Sequence, residues 1–481
     1  MNSQLNKTRM YKVLTYTIDI LLILLSVYLS FVIKFGTNIH DDNLKAFIYV
    51  LPMMIVSYIV FMFVFGLDNI LKKNISEIIF SIFLTVISLL VTTSFIAFFL
   101  QTFAYPRTII LISSIPEFIT LSAWRYMVWR IERKSHGIKD CIVIGNSEAK
   151  DLAKKIILKQ NDLYNVKYIC SDRSTNINKY IGKVNVIFIS NDVDYLIRHK
   201  IINNCIDVGK DVYLVPSSYE LMMLHSEVHR ADDTPLLNIT TLGLTIEQRA
   251  MKRLLDILVA SVGLLITAPI MLIIAVITKL TDGGNMLYGQ ERVTKGKKKF
   301  KVLKFRTMVM NAEKLTGPVL AGEDDLRITK LGRVLRATRL DELPQFINII
   351  KGDMSVVGPR PERPFFVEKF ESEVDDYKYR TIVKGGLTGF AQIYGKYNTT
   401  AEDKSKYDLL YIKNYSIFQD LKIILLTIKI MFMKNSTEGI KNSVQFSDLI
   451  KQRKLGLVID LDAKKSMNSN RMVYKNGYIA R

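Results

Sequence analysis

The sequence predicts a membrane protein in three parts: an N-terminal four-helix transmembrane bundle, an α/β Rossmann-like middle domain, and an α-rich (α/β) C-terminal domain beside one further apolar run. Three observations predict it. Long uncharged runs crowd residues 1–135, short β-rich runs alternate with helical stretches over 136–240, and polar and basic residues cluster after Gly289. Charge is divided the same way: residues 1–130 hold ten Lys/Arg against six Asp/Glu, while the 481-residue chain carries a formal +21. That division excludes a fully soluble protein, and equally a transporter that spans the bilayer along its whole length. Cys141, Cys170 and Cys205 lie far apart, with neither metal-ligand spacing nor an even disulfide set, which points to a reducing compartment. The basic remainder suits anionic lipid headgroups or phosphorylated ligands. No zinc finger, RNA-binding aromatic platform or helix-turn-helix reader accompanies it, so no nucleic acid partner is expected.

A span needs roughly 20 mostly apolar residues. Val13–Ile33 is apolar apart from Asp19, while Ala46–Leu67 and Ile78–Pro106 carry no charge. Thr108–Trp124 is the fourth candidate, interrupted by Pro116 and Glu117. No small-residue cleavage site follows the first run, which therefore reads as an anchor and not as a removable signal. Lys7, Arg9 and Lys12, then Lys72 and Lys73, then Arg125, Arg130, Arg133 and Lys134 fall on alternate loops. By the positive-inside rule the N-terminus and everything after the fourth span are cytoplasmic.

Between 139 and 215, Cys141–Ile144, Val166–Cys170, Val184–Ser190 and Val212–Val215 read as strands, with Ala149–Leu158 helical between the first two. Strands alternating with helices argue a small, doubly wound parallel sheet. The first strand ends in Gly145-Asn146-Ser147, where a dinucleotide site requires G-x-G-x-x-G. With one glycine present, a packing or regulatory domain is the expected reading.

Lys252, Arg253 and Asp256 lead into Ile257–Thr278, which has no charge and contains Pro269. A helix-interior proline removes a backbone hydrogen bond and kinks the helix. The run fits either a hairpin dipping into the inner leaflet or a fifth span with a tolerated proline.

The segment that carries chemistry begins at Gln290 and Arg292, followed by Lys304-Phe305-Arg306-Thr307-Met308. Arg327, Lys330, Arg333, Arg336 and Arg339 recur at every third position, and on a helix they share a slowly drifting face. They lead into Asp341-Glu342-Leu343-Pro344-Gln345, where Asp341 suits an N-cap and the helix dipole and arginines favour its ionised form. In Gly358-Pro359-Arg360-Pro361-Glu362, two prolines aim one guanidinium, whose planar fork suits phosphate oxygens. Singly, each feature has a structural explanation: a solvated carboxylate pair, headgroup-binding cations, a turn. Together they equip a membrane surface for attack on the phosphorus of an anionic diphosphate.

In order and identity these pieces resemble the bacterial sugar transferases that act as polyprenyl-phosphate phosphoglycosyl transferases. The shared signals are Gln290-x-Arg292, Lys304–Met308, Leu340–Gln345, Gly358–Pro361 and Leu387-Thr388-Gly389-x-Ala391-Gln392, within roughly residues 250–435. Four spans plus a Rossmann-like domain look like the large subgroup of that family, which initiates capsule, exopolysaccharide or O-antigen repeat units at the bacterial plasma (inner) membrane. The resemblance implies a re-entrant membrane hairpin over 250–280, bearing Lys252, Arg253, Asp256 and Pro269, and a catalytic domain over 281–435. It implies Asp341 as a nucleophile that forms a covalent phosphosugar-aspartate, and Glu342 orienting it or, with it, holding Mg²⁺. It further implies Lys304, Arg306, Arg336, Pro359, Arg360, Pro361 and Gln392 as substrate-binding residues. The implied partners are a UDP-sugar donor (UDP-glucose and UDP-galactose being the family's common choices), undecaprenyl phosphate and inner-leaflet phospholipids, with a homodimer compatible with the layout. Ala268-Pro269 stands where the family usually has Ser-Pro, and Lys384-Gly385-Gly386 where Lys-Pro-Gly is common. Residues 436–481 match no pattern and are left unassigned, with disorder expected at their basic, Asn/Ser-containing end. The rival readings are a membrane-anchored nucleotide-sugar dehydratase or epimerase, a multi-span phosphosugar transferase, and a non-catalytic scaffold of polysaccharide assembly.

Overall fold

The computed structural model describes residues 2–36, 38–102, 104–239, 242–282, 284–309, 325, 327–396, 399–431, 457–460, 472–475 and 478–480. The chain divides into two compact units, Met1–Val215 with Lys441–Arg481, and Pro216–Ile440.

The first unit opens with four long helices, α1 (Asn2–Phe35), α2 (Asp41–Val64), α3 (Ile75–Phe99) and α4 (Arg107–His136). Val27, Phe31, Val50, Met54, Met62, Ile82 and Ile109 form their buried seam, while Leu21, Val56, Phe95 and Ile115 face outward. α1, α2 and α3 are long and apolar enough to cross a membrane. α4, expected as the fourth span, does not meet that standard, because Glu117 and Arg125 interrupt it. It joins the bundle partly through charge: Arg125 pairs with Asp19 of α1 at 2.5 Å and donates to the Leu67 carbonyl at 2.7 Å. The expected third span also ends early, at Phe99 and not Pro106.

The same unit continues as β1 (Lys139–Ile144), α5 (Ala149–Lys159), β2 (Tyr164–Cys170), α6 (Ile177–Ile181), β3 (Val186–Ile189), α7 (Tyr195–Asp207) and β4 (Asp211–Leu214). The strands pair in parallel in the order β2-β1-β3-β4, the doubly wound pattern. Successive residues of β1 alternate between two cores: Cys141 and Val143 pack with Ala149, Ala153 and Ile156 of α5, Ile142 and Ile144 with Ile181, Ile201 and Cys205. Just after β1, the Asp192 carboxylate accepts from Asn146 N at 3.1 Å, Glu148 N at 2.9 Å and Ser147 Oγ at 3.1 Å. A carboxylate of the chain thus holds the position where a doubly wound nucleotide site would present its amides to phosphate.

The tail is only partly as expected. β11 (Val458–Asp460) adds to the sheet in parallel beside β2, and Asp460 accepts from Ser174 Oγ at 2.7 Å. β12 (Met472–Lys475) and β13 (Tyr478–Ala480) follow antiparallel; residues 432–456 lie outside the described residues.

The second unit begins with α8 (Ser218–Met223), the exposed hairpin of β5 (Glu227–Ala231) and β6 (Thr234–Asn238), and α9 (Ile246–Asp282). It continues through β7 (Leu287–Val293), β8 (Lys299–Phe305), α10 (Lys330–Ala337), α11 (Gln345–Lys351), β9 (Ser355–Val357), α12 (Pro364–Glu373), β10 (Gly386–Thr388), α13 (Phe390–Tyr394), α14 (Ala401–Lys413) and α15 (Ile417–Met431). α9 is one helix of 37 residues, with Pro269 inside it. Its outer face is apolar and exposed, with Leu265, Leu272 and Leu280 each more than 60% accessible. Its inner face rests on the unit over most of its length. Ala260 packs with Ile349 and Val356, and Met271, Ile274 and Ala275 pack around Phe305 and Leu335.

Candidate active site

Two β-elements and one turn build the site. β7 and β8 pair antiparallel with Tyr288 opposite Lys304, placing Lys304 at the strand end nearest α9. Phe305 turns the other way, into the apolar cluster with Ile274 and Leu335. Thr307 then docks α10: its carbonyl accepts from Thr329 N at 3.0 Å, and its Oγ1 accepts from Arg336 Nε at 2.8 Å. A Cβ on Gly332 would lie 2.0 Å from that carbonyl, so only glycine permits the approach.

α10 is shorter than the basic repeat suggested. Thr329 caps its start by accepting from Gly332 N at 2.9 Å, and Arg339 ends the segment in the left-handed region at φ 56°. Arg327 and Arg339 therefore lie outside the helix, and Arg327 pairs with Asp325. The dyad follows in a 3-10 turn, Leu340–Glu342, with α11 beginning only at Gln345. Asp341 is thus not the N-cap; Pro344 holds that position. In a 3-10 turn residues three apart eclipse. Leu340 and Leu343 accordingly share the cluster with Phe305 and Leu335, leaving the two carboxylates off that apolar face.

Those carboxylates differ. Glu342 Oε1 accepts from Lys304 Nζ at 2.7 Å and from Arg360 at 2.5 Å. Asp341, 7% exposed, has Lys304 Nζ at 4.0 Å as its nearest ion-pair contact. Burial pushes the Asp341 carboxyl up from its ordinary 3.8, against the pull of Lys304, Arg336 and Arg360. The arginines do favour ionisation of Asp341, as expected, but burial outweighs them. Burial opposes ionisation of Glu342 too, yet Arg360 and Lys304 bond to it directly and hold it well below the carboxylate range.

Arg360 is aimed by its loop. β9 and β10 pair in parallel, Gly358 N donates to the Thr388 carbonyl and Gly386 N to the Pro359 carbonyl, each at 2.8 Å. A Cβ on Gly386 would sit 2.1 Å from Gly358 N, which accounts for the glycine. Arg292, steadied by Gln290, donates to the Pro361 carbonyl at 3.1 Å and to Glu362 at 3.2 Å. Arg380, itself paired with Asp408 at 2.8 Å, donates to the Arg360 carbonyl at 3.1 Å.

The structure therefore brings Lys304, Arg336, Asp341, Glu342 and Arg360 together, with Pro359 and Pro361 serving through their carbonyls. Arg306 packs its guanidinium on Gly284, just past α9. Gln392 lies beside Gly389 and the Gly358 loop, its amide oxygen and nitrogen both buried without a hydrogen-bond partner. Lys252, Arg253 and Asp256 bond to the catalytic unit and not to one another. Sequence reading missed Arg380, Asp408 and Asn348. Asn348 joins α11 to β8 by accepting from Leu303 N and donating to the Lys301 carbonyl, both at 2.9 Å. None of the three sits in a recognisable pattern; an isolated Asn in an apolar helix was the one available signal.

Magnesium was expected on Asp341 and Glu342. Among the described residues no three His, Cys, Asp or Glu side chains converge, and Glu342 already neutralises two cations.

Similarity to known proteins covers the segment that carries these residues. The family described as bacterial sugar transferase matches residues 247–434. A UDP-N-acetylgalactosamine-undecaprenyl-phosphate N-acetylgalactosaminephosphotransferase of Aeromonas hydrophila is 43% identical over 182 residues, 37% of this chain and 43% of that protein. A UDP-glucose:undecaprenyl-phosphate glucose-1-phosphate transferase of Klebsiella pneumoniae is 36% identical over 263 residues, 53% and 56% of the two chains. A Bacillus subtilis (strain 168) protein, provisionally named an undecaprenyl-phosphate N-acetylgalactosaminyl 1-phosphate transferase, is 47% identical over 131 residues, 27% of this chain and 73% of its own. The chain spans about half the length of the first curated relatives it matches.

Proposed function

Because the chain belongs to the bacterial sugar transferase family, we propose that it transfers a sugar 1-phosphate from a UDP-sugar to undecaprenyl phosphate and releases UMP. The observation that carries this reading is the asymmetry of the dyad: among the described residues Glu342 is gripped by Lys304 and Arg360 at 2.7 and 2.5 Å, while Asp341 meets Lys304 only at 4.0 Å. A carboxylate so placed is a nucleophile beside a phosphate-binding pair of cations.

In the proposed reaction an Asp341 carboxylate oxygen attacks the phosphorus that bears the sugar. The bond from that phosphorus to the UMP oxygen breaks, and UMP leaves with the electron pair. A phosphate oxygen of the lipid then attacks the same phosphorus, the aspartyl bond breaks, and the carboxylate is restored. Lys304, Arg336 and Arg360 bind phosphate oxygens and offset the charge that develops on them. Any magnesium enters as a companion of the donor's diphosphate, and these steps do not pass through it.

α9 completes the reading. Both of its halves pack on the same unit, which supports a helix that dips into the inner leaflet and keeps both ends on the cytoplasmic side. Its exposed apolar face would contact lipid tails, and the chain would act at the bacterial plasma membrane to initiate a surface polysaccharide. The relatives' names carry glucose, galactose and N-acetylgalactosamine, so the sugar is the open variable. The test is UMP release by purified protein with undecaprenyl phosphate and Mg²⁺ across a panel of UDP-sugars. Lipid-dependent release from one or two donors is expected; no release from any of them by folded protein sinks the reading.

A further inference from the structure

α9 is apolar between its polar ends, and near its start Lys252, Arg253 and Asp256 fall within two turns. Burying charge in an apolar helix is unfavourable unless every group is bonded. Lys252 and Asp256 are 6% and 3% exposed, and each has found partners in the catalytic unit. The Asp256 carboxylate accepts from Ser355 Oγ at 2.8 Å and from Val356 N at 2.9 Å. Those residues are β9, and four positions beyond Val356 the chain reaches Arg360, the guanidinium that grips Glu342. Arg253 donates to the Ile349 and Ile350 carbonyls at 2.6 and 2.7 Å, the last turn of α11, the helix that follows the dyad. Lys252 bonds Asp420 at 2.6 Å and the Tyr411 hydroxyl at 2.9 Å, and that hydroxyl, with Asp420 Oδ1 at 2.9 Å as its nearer acceptor, lies 3.3 Å from the Val357 carbonyl. One polar turn of the membrane helix therefore touches both limbs of the site: α11, behind Asp341 and Glu342, and β9, behind Arg360.

We infer that Asp256 is a positioning residue for catalysis, which aligns Arg360 with the Asp341–Glu342 dyad by fastening the Ser355–Val357 strand to the membrane helix. The inference rests on the transferase reading above. A carboxylate with two donors, one of them a backbone amide, fixes both the height and the direction of the strand. Loss of that fastening lets the Arg360 loop swing about its remaining anchors, Arg292 and Arg380. Misplacement of a charged group by about 1 Å costs on the order of a hundredfold in rate.

The test is steady-state UMP release by the full chain, with kcat and KM determined for wild type, Asp256→Ala, Asp256→Asn, Ser355→Ala and Arg360→Ala, and for Asp256→Ala combined with Arg360→Ala. Asp256→Ala should lower kcat by about tenfold or more with a smaller change in KM. Asp256→Asn retains an acceptor oxygen and should restore most of that loss. The double variant should be little slower than Arg360→Ala alone, because the first change acts through the second residue. Ser355→Ala removes one of the two bonds and should fall between wild type and Asp256→Ala, which keeps the test decisive where Asp256→Ala does not fold. Fully multiplicative losses in the double variant, or wild-type kcat in both Asp256→Ala and Ser355→Ala, overturn the positioning role. Absence of UMP release from the wild type instead overturns the reaction on which it rests.

Discussion

Asp341 and Glu342 are adjacent in sequence and chemically unlike. Asp341→Asn removes the nucleophile while keeping shape, and should cut turnover by about a thousandfold or more with unchanged thermal unfolding. Glu342→Gln should also slow turnover, but with a loss of stability, since Lys304 and Arg360 would then face each other with their shared counter-charge gone. The pH dependence separates the two residues further. Burial raises the Asp341 carboxyl above 3.8, so just above that pH it still holds its proton and cannot attack. The acid limb of kcat/KM should therefore fall at a pH above 3.8, and a limb at or below that value would contradict the assignment. At this scale Lys304, Arg336, Asp341, Glu342 and Arg360, which the fold brings together, were legible because each stands in a dense motif, whereas Arg380, Asp408 and Asn348 were not. The division of labour within the dyad was not legible either, because it depends on which carboxylate meets Lys304 and Arg360 across the fold.

Elements show the same limit differently. Strands β1 to β4 were readable because each is a short apolar run bounded by turn residues. β11 was not: three residues in a polar tail carry no periodicity, and only the open edge of β2 makes them a strand. The start of α11 was misread since an Asp before a proline resembles an N-cap, whereas burial of Leu340 and Leu343 in one cluster winds that stretch as a 3-10 turn. The basic repeat was misread as one helix because spacing alone does not show the Thr329 cap or the left-handed Arg339. The contact of α10 with Thr307 gives a sharp prediction. Gly332→Ala forces a methyl group against the Thr307 carbonyl and should destabilise the catalytic unit by about 2 kcal/mol or more, read as a lower unfolding midpoint. An unchanged midpoint would mean that α10 can retreat freely from that strand.

For the molecule as a whole, the apolar helices, the parallel sheet and the motif-bearing segment were each legible, because each has its own composition and period. The residues alone left the form of α9 open, since a proline in an apolar run is compatible with a span or a hairpin. The cytoplasmic placement of both ends of α9 is testable in intact cells. Cys141, Cys170 and Cys205 are buried, so single cysteines introduced as Arg249→Cys and Lys279→Cys would report over a low background. Both should resist an impermeant thiol reagent added from outside and react once the membrane is opened. Labelling of the second site from outside would make α9 a full span. The central claim, a phosphosugar carried on Asp341, is tested most directly by mixing the protein with its UDP-sugar in the absence of lipid phosphate and weighing the intact chain. The account predicts a burst of UMP close to one per chain and a mass gain of one sugar phosphate, released by undecaprenyl phosphate and lost in Asp341→Asn. Lipid-dependent UMP release with no burst and no mass gain would contradict it.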